Sequence, residues 1–146
     1  MRGRLAYRVA IAVAVLIAAG AIWERLGRAE VRPLPYRVVD AGRVELGAPI
    51  GKRIRLQKTM DAIVGPGRVI IPPGRVGVVI SPGPRSSSGY SVRILSVTDE
   101  RRRVVVRVRE ETPTLGERVR PVVTYPYRVI LIPDTHKRVV VQWQGR

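Results

Sequence analysis

Tyr90-Ser91-Val92-Arg93-Ile94-Leu95-Ser96-Val97-Thr98, then Asp99-Glu100-Arg101-Arg102, then Arg103-Val104-Val105-Val106-Arg107-Val108-Arg109-Glu110 is the stretch that decides how this chain folds. In its second half Val104, Val106 and Val108 fall on one side, and Arg103, Arg107 and Arg109 on the other. A period of two belongs to a β-strand, because successive side chains of an extended backbone point to opposite faces. Apolar on one side and cationic on the other marks one buried and one solvated face. The first half changes phase: Val92 and Ile94 share one face, Leu95 and Val97 the other. One extra residue near Ile94 and Leu95, a β-bulge, brings both ends back to the same core. Four polar residues separate the halves, so the stretch reads as a hairpin.

Outward from this hairpin the chain keeps the same character. Toward the C-terminus, residues 119–124, 127–132 and 138–143 read as strands, with Pro121 and Pro126 at an edge or a bend because proline cannot donate to a ladder. Toward the N-terminus, residues 36–39 and 44–46 flank Asp40-Ala41-Gly42-Arg43, which predicts a second hairpin. Arg53-Ile54-Arg55-Leu56 alternates over one short strand. Gly65-Pro66-Gly67 precedes a strand at 68–71, and Pro72-Pro73-Gly74 precedes one at 76–81. Residues 81–88 form a loop of Ser, Pro and Gly. Valine and isoleucine dominate and no helical periodicity is visible, so residues 36–146 read as β throughout. The expected fold is all-β, a small antiparallel sandwich or partly open barrel of about eight to ten strands. With no phenylalanine, its core is built from Val, Ile and Leu.

One N-terminal hydrophobic helix precedes that domain. Arg2, Arg4 and Arg8 lead into an unbroken apolar run, 9–23. Its 15 residues make a helix of about 22 Å, just short of a bilayer core, and counting back to Leu5 closes the gap. Residues 1–24 therefore read as a signal anchor or a signal peptide. Ala19-Gly20-Ala21 has the small-x-small form of a cleavage site, whereas Ile22 and Trp23 continue the apolar run, which favours an uncleaved anchor. Basic residues flank both ends, so charge alone does not orient the segment. The short basic leader places the N-terminus inside. The domain is then expected on the extracytoplasmic side of a single-pass cell membrane protein, or secreted if the signal is cleaved. Residues 25–35, with Pro33 and Pro35, read as a tether.

Composition narrows the chemistry. The 146 residues contain no cysteine and one histidine, His136, which removes disulfides, thiolate catalysis and multi-histidine metal sites within the chain. The net charge is +16, carried mainly by arginine, since only Lys52, Lys58 and Lys137 are lysines. Such a field favours anionic neighbours: acidic lipid, wall polymer, nucleic acid or an acidic protein.

A further set of residues carries a family resemblance. Gly83, Arg85 and Ser88-Gly89-Tyr90-Ser91 open a strand; the hairpin follows; then Thr112-Pro113-Thr114-Leu115-Gly116, Thr124-Tyr125-Pro126-Tyr127 and Val129-Ile130-Leu131-Ile132-Pro133. In order and spacing, residues 83–141 resemble the C-terminal domain of the PrcB family, named for a non-catalytic subunit of a protease complex. Ser88 stands where the family usually has the first glycine of a Gly-Gly-Tyr step. The resemblance implies a protein-binding or stabilising role, with a secreted protease as partner, and implies no catalytic motif, cofactor or metal.

The candidate partner-binding residues are Arg85, Gly89, Tyr90, Tyr125 and Tyr127. Glycine permits positive φ at a recognition corner, and tyrosine is enriched in binding hot spots. The competing reading of each is a turn with a packed ring. Tyr125 and Tyr127, two apart on an extended segment, are expected to share one fate. Arg93, Arg103, Arg107 and Arg109 are candidates for an anion-binding face, against the reading of a solvated sheet face. Nucleic acid is disfavoured because Tyr90 is the only aromatic in the two strands. Asp134-Thr135-His136 reads as a surface turn and residues 86–88 lack a nucleophile elbow, so no enzyme is expected. The sequence thus predicts a non-catalytic, membrane-anchored extracytoplasmic module that binds a protein. The alternative is a basic module for anionic lipid, wall polymer or nucleic acid.

Overall fold

The computed structural model describes residues 31–43 and 50–145. The expected N-terminal helix and the strand at 44–46 lie outside them. Among the described residues, no helix is long and apolar enough to cross a membrane. The described residues form eight strands and one helix, in order β1 (Arg32–Pro33), β2 (Arg37–Arg43), β3 (Ile50–Ile54), α1 (Gln57–Val64), β4 (Arg75–Ser81), β5 (Ser91–Asp99), β6 (Arg103–Glu111), β7 (Pro126–Pro133) and β8 (Arg138–Trp143). They form two four-stranded sheets, β1-β5-β6-β8 and β2-β7-β4-β3, with no closed barrel. Residues 32–34, within the stretch read as a tether, lie on the first sheet: Pro33 pairs with Thr98, and Leu34 N–H donates to Val97 O at 2.9 Å.

The inner faces of the two sheets enclose one core. Val76, Val78, Ile80, Ile130 and Ile132 from the second sheet meet Val92, Val97, Val104, Val106 and Val108 from the first. The hairpin β5–β6 is as the sequence predicts, and its register shifts between Ile94 and Ser96, at the expected bulge. Burial of these branched side chains supplies the main driving force, at about 25 cal/mol per Å² of apolar surface.

A second core explains the element that alternation does not reveal. Residues 57–64 are helical, not β. Met60 and Val64 are buried and Ile63 packs beside them, an i, i+3, i+4 stripe that covers the outer face of the second sheet. Val79, Val129 and Tyr127 face that stripe. Gly77 lets the helix approach, because a Cβ there would stand 2.2 Å from Met60 Cε. The helix ends at Gly65, whose φ of 102° suits glycine and whose N–H donates to Asp61 O. Residues 68–71 are not a strand either. The Gln57 carboxamide takes the place of a neighbouring strand: Nε2 donates to Val69 O at 2.6 Å, and Ile71 N–H donates to Oε1 at 2.9 Å.

Three further expectations change. Asp40–Arg43 is no turn; β2 runs through it with a bulge between Val38 and Asp40, and Asp40 accepts a bond from β7. Residues 119–124 form no strand, only an isolated bridge between Thr124 and Arg85. The sheets are not wholly antiparallel, because β8 runs parallel to β6. The chain leaves the first sheet for β7 and returns, and one reversal each way sets β8 along β6. The crossing turn at 134–137 is anchored from both sheets. Arg53 Nη1 donates to Thr135 O at 2.6 Å and Lys137 O at 2.7 Å, Arg55 reaches Thr135 O and Asp134, and Lys137 Nζ donates to Asp99. His136 lies exposed on this turn.

Candidate functional site

Two long connections meet at one end of the two sheets: residues 82–90, between β4 and β5, and residues 112–125, between β6 and β7. Loops of such length carry function when a rigid scaffold holds them. Here they hold each other. Arg85 N–H donates to Thr124 O at 2.7 Å and Thr124 N–H to Arg85 O at 2.8 Å. Ser88 N–H donates to Arg120 O at 3.0 Å, and Arg120 N–H returns to Ser88 Oγ at 2.9 Å. Thr124 is buried and its hydroxyl donates to Ser87 O at 2.6 Å.

Arg85 is the anchor of this lobe. Its guanidinium forks onto Glu110 at the end of β6, with Nη2 to Oε2 at 2.9 Å and Nε to Oε1. Nη1 donates to Pro82 O and Pro84 O. Hydrogen bonding to Glu110, opposed by burial, holds the Arg85 pKa above its ordinary value. Four of its five donors are used internally, so what Arg85 does here is fix loop to sheet. Gly89 has no positive φ. It is glycine because of close approach: a Cβ would stand 2.5 Å from both Pro113 Cβ and Val119 Cγ1.

The three tyrosines part company. Tyr90 is half-buried and walls a hollow of about 380 Å³ with Pro84, Arg85, Ser86, Glu110 and Thr112. Tyr125 is half-buried, whereas Tyr127 is buried. Their fates differ because β7 begins at Pro126, so strand alternation does not span both. Tyr127 Oη donates to Asp40 Oδ2 at 2.5 Å, and Arg68 lies 5.9 Å from its ring centroid. Burial first, then the bond to Asp40, push its pKa well above that of a free phenol. The lobe's outward apolar side chains are not among the candidate partner-binding residues. Leu115 is fully exposed at the tip of a turn closed by Thr114 and Glu117, and Val122 and Val123 are 49% and 65% exposed.

The four arginine candidates share one surface, the outer face of the first sheet, as alternation predicts. Arg93 lies directly opposite Arg109. Arg103 lies opposite Arg138, a fifth member that only the parallel register brings in. Arg93 and Arg103 have acidic partners, Glu111 at 3.3 Å and Glu100 at 2.6 Å. The face is not wholly solvated: Val105 is buried on it, between Thr98 and Val140 on the neighbouring strands. Among the described residues no group of three or more His, Asp or Glu gathers to hold a metal.

No curated protein matches the chain, and no solved structure matches it. Residues 77–133, from β4 through the hairpin and both knitted loops to the end of β7, match the model of the family described as PrcB C-terminal, the family that the residues from Gly83 onward resemble.

Proposed function

We propose that this chain is a non-catalytic, membrane-anchored extracytoplasmic module that binds and stabilises a protein partner, and that the partner is a secreted protease. The match of residues 77–133 to the PrcB C-terminal family carries this reading. That segment contains the whole loop lobe, whose internal hydrogen bonds fix its backbone before any partner arrives. A preformed surface lowers the ordering cost of association. The exposed Leu115, Val122 and Val123 give it apolar contact area. Affinity capture from detergent-solubilised membranes, followed by mass spectrometry, tests the reading. The expected result is a reproducible extracytoplasmic protease whose yield falls when Leu115 and Val123 are changed to Ser; recovery of no such partner refutes it. Protease accessibility of the domain in spheroplasts tests its placement, and full protection without permeabilisation overturns that part.

A second reading rests on the outer face of the first sheet. Arg93, Arg103, Arg107, Arg109 and Arg138 give it five cations on one surface. Like charges placed directly opposite destabilise a ladder, and an external anion relieves that cost. Binding to acidic vesicles or wall polymer that falls steeply with salt supports this reading, and salt-independent affinity refutes it.

A further inference from the structure

Four strands border the two sheets, and natural sheets guard such borders against stray pairing. β1 is two residues long and contains Pro33. β2 carries its bulge after Val38. β3 presents Gly51, Lys52 and Arg53. β8 has no such guard along its middle: Val139, Val140 and Val141 run in sequence without proline, glycine or bulge, and among the described residues β6 is its only ladder partner, while β3 of the other sheet packs across from it at Gly51 and Val141.

The free side of β8 can be assigned. Gln144 N–H donates to Val108 O at 2.8 Å, continuing the β6 ladder. In a parallel ladder one residue turns its N–H and C=O to one side, and the next residue turns them to the other. Val140, Gln142 and Gln144 therefore face β6, and Val139, Val141 and Trp143 direct theirs to the border. Beside that border lies a hollow of about 310 Å³, walled by Ile50, Gly51, Ser81, Val139, Val141 and Trp143. Trp143 is 42% exposed there, and Arg138 is exposed at the start of the strand.

We propose that β8 accepts an extended segment of a protein partner as an added strand of the first sheet, and that this segment alternates apolar and acidic side chains. The inference rests on the protein-binding role proposed above and supplies a surface and a chemistry for it. Backbone groups of Val139, Val141 and Trp143 give the pairing, and alternate side chains give selectivity. Inward side chains of the added strand fall over the hollow and are apolar. Outward ones stand beside Arg138, with Arg103 and Arg107 one strand farther on the same face, and are acidic. A second copy of this chain fits less well, because it would bring two molecules of net charge +16 together at a cationic border.

Fluorescence anisotropy with the full-length protein in neutral detergent tests this. The probes are a labelled octapeptide alternating Val and Glu, its Val and Lys counterpart, and two Val/Glu versions N-methylated on one or the other set of alternate amides. The Val/Glu peptide is expected to bind, and the Val/Lys peptide at least tenfold more weakly. One methylated version should lose tenfold or more and the other little, since only one set of amides faces β8. Arg138→Glu, at an exposed position, should reverse the preference between Glu and Lys peptides. Val141→Pro removes an outward N–H without touching the β6 ladder and should weaken binding tenfold; if it does not fold, Arg138→Glu decides. Equal loss from both methylations, or an unchanged preference in Arg138→Glu, overturns the proposal. So does concentration-dependent self-association without peptide binding, which would assign the border to a second copy. Capture of a protease together with no peptide binding removes the border and leaves the protein-binding role standing.

Discussion

Changing Glu110 to Gln tests whether the loop lobe is held by the Arg85–Glu110 fork. The side chains of Arg85 and Glu110 are 19% and 7% exposed. Exposed ion pairs contribute about 0–1 kcal/mol, whereas breaking a buried pair costs about 3–5 kcal/mol. A nearly buried carboxylate facing a partly exposed guanidinium lies between these limits. Arg85 also keeps Pro82 O and Pro84 O as acceptors. The expected loss is therefore about 2 kcal/mol. With a urea dependence of about 1–3 kcal/mol per M, the unfolding midpoint should fall by roughly 1 M. Hydrogen exchange supplies the local reading: the amides of Arg85, Ser88, Arg120 and Thr124, all bonded between the two loops, should exchange faster than β5–β6 amides. A midpoint shift below about 0.2 M, with unchanged exchange at those four amides, would show that the fork does not hold the lobe.

Tyr127→Phe removes the bond to Asp40 while keeping the ring, and should cost about 1.5–3 kcal/mol in urea titrations, the range for a bond to a charged acceptor. The folded state holds the Tyr127 proton more tightly than the unfolded state, so this stabilisation is complete below about pH 10 and is lost as pH rises toward the raised folded value. Urea midpoints measured from about pH 8 to 11 should therefore decline more steeply in the parent than in Tyr127→Phe, and parallel declines would contradict the assignment. Gly89→Ala forces a Cβ against Pro113 and Val119 and should cost about 1–3 kcal/mol by thermal melting; a neutral change would mean that the loops separate freely. Gln57→Ala leaves Val69 O and Ile71 N–H without their side-chain partner and should cost roughly 2 kcal/mol in the same titrations, with faster exchange at Ile71.

The parts of this fold that were legible in the sequence are those set by local alternation. Val104, Val106 and Val108 announce β6, the phase change at Ile94 announces its partner's bulge, and residues 138–143 coincide with β8. The helix was hidden because it is one stripe of Met60, Ile63 and Val64, too short to show a period, and because Leu56 at its start caps no N–H with its side chain. Residues 68–71 look like a strand because they are extended, yet their ladder partner is a glutamine side chain distant from any strand pattern. The site follows the same division. A motif draws attention to Arg85 and Gly89, but the loop contacts they make depend on how two loops meet. Arg138 joins the cationic face only through a parallel register that local periodicity does not encode.

The central place of β7 in the second sheet governs the order in which this domain can be completed. β2 and β4 both pair with β7, Arg37 with Leu131 and Val78 with Ile130, and β3 reaches β7 only through β4. During synthesis β2, β3 and β4 all emerge before their common neighbour exists. Until then β2 has no ladder, and the apolar row Val76, Val78 and Ile80 lacks Ile130 and Ile132 on the strand beside it. Joining Arg37 to Leu131 also closes a long loop, whose entropy must be met before the contact rewards it. A nascent chain that stops short of Pro126 thus carries a β5–β6 hairpin and a β3–β4 pair, with β2 left without a partner, and its dependence on holding factors should end when β7 is released.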